Sequence, residues 1–104
     1  MKLKPANKEQ KERFEQMKLL GCVCCRLDDL KTWVYPEIHH FTIANQRISH
    51  DYTAPLCKAH HTGDEKHHTG MYTLSWHKHR AKFRQAYGTD TELVDVTNQF
   101  LERM

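Results

Sequence analysis

Apolar positions are sparse along this chain, and they change period from one segment to the next. From Asn7 to Leu20 the residues are mostly charged, with Phe14, Met17 and Leu20 three apart. That spacing predicts an amphipathic helix with one narrow apolar stripe. Asn7 and Gln10 have the form of a capping box, and Gly21 is a stop signal. From Thr32 to Ala44, β-branched and aromatic residues dominate: Trp33, Val34, Tyr35, Ile38, Phe41, Thr42 and Ile43. One strand is expected there, or two short ones broken near Pro36. The polar run from Asn45 to Pro55 reads as a loop that leads into a second strand or directly into a helix. Beyond Cys57 no apolar period is evident, and Gly63 and Gly70 punctuate the chain. In the last third, Ser75 is expected to cap a helix that carries Trp76, Phe83 and Tyr87 on one face and stops at Gly88. Thr89 with Glu92 forms a second capping box ahead of Leu93, Val96 and Phe100, a last helix. These apolar residues are assigned to packing.

Composition adds a constraint. The 104 residues suffice for one domain, only 38% are hydrophobic, and the mean hydropathy is −0.82. Domains this small and polar often need a metal or disulfides. Four Cys and nine His are available, and seven of the nine His lie between His39 and His68. No apolar run follows the opening lysines, and no stretch is long enough to span a bilayer. The expectation is a cytoplasmic protein with no membrane partner, in which thiols stay reduced and closely spaced cysteines are metal ligands. The formal net charge of +3 is compatible with a polyanionic partner.

Cys22 and Cys25 form a C-x-x-C pair, and Cys57 and His60 a C-x-x-H pair. A two-residue gap lets both side chains of a tight turn reach one ion, and two such turns complete a tetrahedral zinc site. Soft thiolates favour zinc over magnesium. Cys24 offers a C-x-C alternative, with Cys25 favoured by turn geometry. A redox role for the pair is disfavoured, since no βαβ pattern surrounds it. Such a structural zinc would staple the chain before the strand segment to the start of the helix after it.

Inside the staple stands Glu37-Ile38-His39-His40. Successive strand residues face opposite ways, so adjacent His can serve different partners. His50 lies in the following loop, His61 directly follows the last staple ligand, and His67 and His68 precede Thr69-Gly70. His77 and His79, on a charged helix, read as exposed and idle.

Taken together, C-x-x-C, a His pair at a strand end, and Pro55-Leu56-Cys57-Lys58-Ala59-His60-His61 resemble an HNH (ββα-metal, His-Me finger) endonuclease. His60 stands where a second Cys is usual. Ser49-His50, Thr53, the Pro55 to His61 run and His67-His68-Thr69-Gly70 are closer to the phage recombination-enhancement nucleases that depend on RecA. The resemblance spans about Gly21 to Gly88. It implies an α+β fold: a zinc-stapled ββα-metal finger with flanking N- and C-terminal helices. Residues 1–20 would be a basic helical segment and residues 21–104 the nuclease domain, one domain overall.

The resemblance also implies roles. His40 would be the general base, and His50 would orient the base or a ligand. His39 and His61 would hold a divalent cation (Mg, Mn, Ni or Zn), completed by His67 or His68. No Asn stands where the family spacing expects one, since Asn45 comes early and Tyr52 falls nearer. An all-His site without an acidic ligand would be soft, favouring zinc, nickel or manganese over magnesium. DNA is the implied substrate, its phosphates met by Lys58, Lys66, Lys78, Arg80, Lys82 and Arg84. Little sequence specificity is expected. A RecA filament is the further partner, with the lysine-rich start from Lys2 to Lys18 as its candidate arm.

Two other readings compete. A non-catalytic zinc-binding DNA module would keep the staple and the basic helices but leave His39, His40 and His61 unexplained. A metal-buffering or sensing protein would use the histidine density, but neither a dimer interface nor a recognition helix is evident.

Overall fold

The protein, seen in a computed structural model, is described over residues 3–29, 31–67, 69–70 and 73–104. Helix α1 spans Lys8–Leu20 and α2 spans Val23–Asp28. Strands β1 (Glu37–His40), β2 (Thr42–Ile43), β3 (Gln46–Arg47) and β4 (Thr53–Leu56) follow. Helices α3 (Lys58–His61), α4 (Arg80–Tyr87) and α5 (Asp90–Glu102) complete the order. The architecture is α+β.

Helix α1 begins as its sequence dictates. The Gln10 amide donates to Asn7 Oδ1 at 2.8 Å, and the Asn7 amide donates to Gln10 Oε1 at 3.0 Å. It ends at Gly21, whose φ of +83° suits glycine. Met17 and Leu20 are buried, and the helix lies against β1, β4 and α5. Phe14, the third member of the stripe, is only half-buried. It packs edge-on against the rings of His40 and His50, at 6.0 and 5.9 Å between centroids.

Strands β1 and β4 pair antiparallel, with Glu37 opposite Leu56 and His40 opposite Thr53. All four residues of β4 are buried. Arg13 of α1 donates to the Thr53 carbonyl at 2.8 Å and fixes the helix over the pair. The expected strand from Thr32 begins only at Glu37. In the supposed loop from Asn45 to Pro55 lie β3 and most of β4. Strands β2 and β3 form a hairpin through Ala44 and Asn45, both left-handed at φ 52° and 62°. Two such residues make the turn whose twist matches a tight hairpin.

The C-terminal third differs from expectation in one place. Ser75 does not start a long helix: its Oγ accepts from the Lys78 amide at 3.0 Å and closes a short turn, and α4 begins at Arg80 with His79 as its cap. Trp76 therefore sits in the turn rather than on the helix. It is buried, with Nε1 donating to Asp90 Oδ1 at 2.8 Å. The capping box of α5 forms as expected, between Thr89 and Glu92. Phe83, Leu93 and Val94 join Val23, Phe41, Ala54, Leu56 and Trp76 in one core cluster, with Val96 and Phe100 packed against it. No helix among the described residues is long and apolar enough to cross a membrane.

Candidate functional site

Among the described residues, two clusters of side chains that could hold a metal ion flank α3. The first joins Cys22 and Cys25, at the two ends of the first turn of α2, to Cys57 and His60 at the start of α3. All four are buried, and their ligand atoms lie within 4.8 Å of one another. His60 Nδ1 lies 3.6 Å from Cys22 Sγ, 3.6 Å from Cys25 Sγ and 3.2 Å from Cys57 Sγ. Cys25 and Cys57 sulfurs are 3.9 Å apart. Zn–S and Zn–N bonds of about 2.3 and 2.0 Å place tetrahedral ligands roughly 3.3–3.8 Å apart. This set of three sulfurs and one nitrogen therefore fits a zinc ion. Cys24, though buried, stands outside the group.

Electrostatics agrees with that fit. Burial opposes the Cys22 thiolate, but hydrogen bonds from Cys24, Cys25, Cys57 and His60 outweigh it and hold Cys22 well below the ordinary thiol value. Hydrogen bonding to Cys22 and Cys57, and burial, push Cys25 up. Burial pushes Cys24 up as well. Burial works against a charged His60, yet hydrogen bonds to Cys22 and Cys57 raise it to about 9. Protons thus offset the charge that clustered sulfurs would otherwise carry, and a dication among the ligands takes over that role. Behind the cluster, His60 Nε2 lies 3.1 Å from the Tyr87 hydroxyl, which donates to Asp28 Oδ2 at 2.8 Å. A ligand histidine is commonly oriented in this way.

His67 belongs to this side of the molecule. Its Nε2 lies 3.2 Å from Cys25 Sγ, and its ring is 5.2 Å from that of His60. The expectation that it joins His39 and His61 does not match this position: the chain after α3 folds back over Cys25. His68, the alternative, lies outside the described residues.

The second cluster gathers His39, His61 and His77, whose ligand atoms also lie within 4.8 Å of one another. His39 points inward from β1 and His61 comes from α3. Their Nδ1 and Nε2 atoms are 2.9 Å apart. His61 Nδ1 lies 3.1 Å from Glu37 Oε1, which favours hydrogen on Nδ1, so that in the neutral ring Nε2 is the lone pair. His77, read from the sequence as idle, is brought in by the backbone. The Trp76 amide donates to the His60 carbonyl at 2.8 Å and the His77 amide to the His61 carbonyl at 3.1 Å. The Ser75–Lys78 turn is thereby laid along α3, and the His77 ring comes within 5.1 Å of the His61 ring.

His39 is buried, with Phe41 and Trp76 against its ring at 4.7 and 4.4 Å. Burial lowers it to about 3, with His61 and His77 adding to the shift. Neutral imidazole is the ligating form. Among the described residues, His39 Nε2 is the buried side-chain polar atom without a hydrogen-bond partner. If Nδ1 keeps its lone pair it faces that of His61, an arrangement that a cation between them relieves. The donor set of three imidazoles thus fits a divalent ion of intermediate softness.

These rings open into a cleft of about 330 Å³ that also includes His40, Asn45, Arg47 and Arg80. His40 alternates with His39 along β1, and its Nε2 lies 2.9 Å from His50 Nδ1. Burial lowers His40 to about 4, with Arg47 and His50 adding to the shift, which keeps it neutral. Arg80 stacks over Trp76 at 3.9 Å. Arg47, which sequence reasoning passed over, is carried to the cleft by the β2–β3 hairpin. Of the other expected phosphate contacts, Lys58 pairs with Glu65, Lys78 with Asp64 and Arg84 with Asp90. Lys58 and Lys66 line a separate depression beside Tyr35 and His67. Lys82 is exposed on α4.

Residues 6–102 match the family model described as "Recombination enhancement, RecA-dependent nuclease". Neither a curated protein nor a solved structure matches the chain.

Proposed function

This chain belongs to the family of recombination-enhancement, RecA-dependent nucleases, and from that premise we propose that it is a metal-dependent DNA endonuclease of the HNH (ββα-metal) class. The observation that carries this reading is the meeting of His39 and His61 across β1 and α3, with His77 as third ring and His40 beside them in one cleft.

In this reading His40 is the general base. It is neutral, and it takes a proton from the water that attacks the scissile phosphorus. His39, His61 and His77 hold the divalent cation, and Glu37 orients His61 from behind. Bound there, the cation supplies charge neutralisation at the phosphate and the leaving oxygen. Arg47 and Arg80, on the cleft wall, engage flanking phosphates, with Lys58, Lys66, Lys78, Lys82 and Arg84 contributing a weaker field around the finger. These are backbone contacts, so cleavage has low sequence specificity. Cys22, Cys25, Cys57 and His60 hold a structural zinc that ties α2 to the start of α3. The all-imidazole donor set favours manganese, nickel or zinc over magnesium in the catalytic site. A RecA filament on DNA is the further partner, in a phage or prophage recombination setting.

Plasmid nicking by the purified protein across Mg, Mn, Ni and Zn, with and without RecA, tests the reading, with His40→Ala alongside. Metal-dependent nicking that falls by about 10²–10⁴ in His40→Ala is expected, the usual worth of a general base. Cutting confined to RecA-coated DNA would support the partner as well. DNA binding without any nicking would overturn the reading in favour of a zinc-stapled binding module.

A further inference from the structure

Beside the cleft, three groups from distant parts of the chain form a single hydrogen-bonded line. His40 Nε2 lies 2.9 Å from His50 Nδ1, and His50 Nε2 lies 2.7 Å from the backbone carbonyl of Lys4. A carbonyl only accepts, so the far end of the line has a fixed polarity. His50 Nε2 must therefore carry hydrogen. In the neutral ring, His50 Nδ1 is then a lone pair and can only accept. His40 Nε2 must in turn be the donor, which leaves the lone pair of neutral His40 on Nδ1. Among the described residues, His40 Nδ1 makes no hydrogen bond, so that lone pair is uncommitted.

We infer that His50 and the Lys4 carbonyl are a tautomer relay that fixes Nδ1 as the reactive nitrogen of His40, with the N-terminal segment completing the active site. This rests on the reading of His40 as the base. His50 is a positioning residue here, acting only through His40.

Packing supports the relay independently. Phe14 of α1 stands edge-on to both imidazoles, at interplanar angles of 68° and 79°, and limits their rotation. Leu3, Lys4 and Pro5 line one depression together with Asn45, Gln46, Arg47 and His50. The segment before α1 is thus seated on the β2–β3 hairpin next to the base. Orientation of a catalytic imidazole by an acceptor on its far nitrogen is what allows such a ring to take a proton on the near one. Here the acceptor is reached through a second imidazole and supplied by main chain, so its presence depends on where residues 3–5 lie.

The test is a two-bond ¹H–¹⁵N correlation spectrum of the full, zinc-loaded chain labelled with ¹⁵N-histidine at neutral pH. The expected result is hydrogen on Nε2 of both His40 and His50. Hydrogen on Nδ1 of either ring would overturn the relay, and this readout needs no nuclease activity. Failure of the relay and failure of the nuclease reading are therefore distinguishable. In cleavage assays, His50→Ala should lose on the order of 10–100-fold in kcat, part of the total of about 10²–10⁴ that a general base supplies. KM for DNA should change little. His50→Gln, whose carbonyl can accept from His40 and whose amide can donate to Lys4, should recover most of the loss. A chain beginning at Ala6 should lose the fixed His50 tautomer while keeping its zinc. Full kcat in His50→Ala, or a Gln variant as slow as the Ala variant with zinc content and melting unchanged, would overturn the assignment.

Discussion

Glu37 stands directly behind His61: its Oε1 lies 3.1 Å from His61 Nδ1, and this turns His61 Nε2 toward His39. One is the first residue of β1 and the other the last of α3. A carboxylate in this position fixes the tautomer of a ligating histidine and raises its basicity.

Replacing that carboxylate should therefore weaken metal binding before it touches chemistry. Glu37→Gln is expected to raise the metal concentration for half-maximal cleavage by about 10–100-fold, with most of kcat recovered at saturating metal. A titration of nicking against Mn or Ni decides the matter, and an unchanged midpoint would remove Glu37 from the site.

His77 and His67 should separate in their response to metal. His77→Ala should shift the metal midpoint of cleavage upward, because the ring lies with His39 and His61. His67→Ala should leave that midpoint alone and loosen the structural zinc instead, because its Nε2 lies 3.2 Å from Cys25 Sγ. Competition with a colorimetric zinc chelator reads the second effect. The opposite pattern would restore His67 to the catalytic side.

Zinc removal should unfold the domain. Structural zinc in comparable small sites contributes apparent free energies of about 10–16 kcal/mol, against a net domain stability of about 5–15 kcal/mol. The chain without its ion therefore falls to or below the folding threshold. Circular dichroism during chelation should show cooperative loss of helix, and Cys25→Ser should show the same loss without chelator. A fully demetallated protein with an unchanged spectrum would rule out the staple.

Gly21→Ala probes the join between α1 and α2. A Cβ there would stand 2.7 Å from Trp33 Cδ1 and 3.1 Å from the Val34 carbonyl, on a residue at φ +83°. Left-handed strain alone costs about 1–3 kcal/mol, and the crowding adds to it. At about 4–8 °C per kcal/mol for a domain of this size, the thermal midpoint should drop clearly. A midpoint equal to that of the parent would mean that Trp33 moves aside freely.

Local rules make much of this protein legible from its residues. Both capping boxes, at Asn7–Gln10 and Thr89–Glu92, form because a cap is decided within four residues. The Cys22, Cys25, Cys57 and His60 cluster is readable because two-residue gaps are themselves the geometry of a metal turn. Strands of two to four residues carry too little pattern to read, which is why β3 and β4 lie hidden in a polar stretch. Ser75 misleads because a serine that closes a single turn has the same local signature as one that caps a helix. His77 carries no signal at all. Its place is set by amide bonds to the His60 and His61 carbonyls, made by a segment that returns after a loop. Resemblance offers His67 or His68 as a partner for His39 and His61, and a choice between neighbours in an irregular segment is not legible locally; His67 itself lies beside Cys25.

His60 and His61 are neighbours in sequence, yet on one turn of helix they face two different clusters. That adjacency works as an interlock. Whatever holds His60 among Cys22, Cys25 and Cys57 also holds the single turn that carries His61 toward His39. In the nuclease reading, losing the ion from the first cluster would therefore be expected to loosen the second, though the two share no ligand.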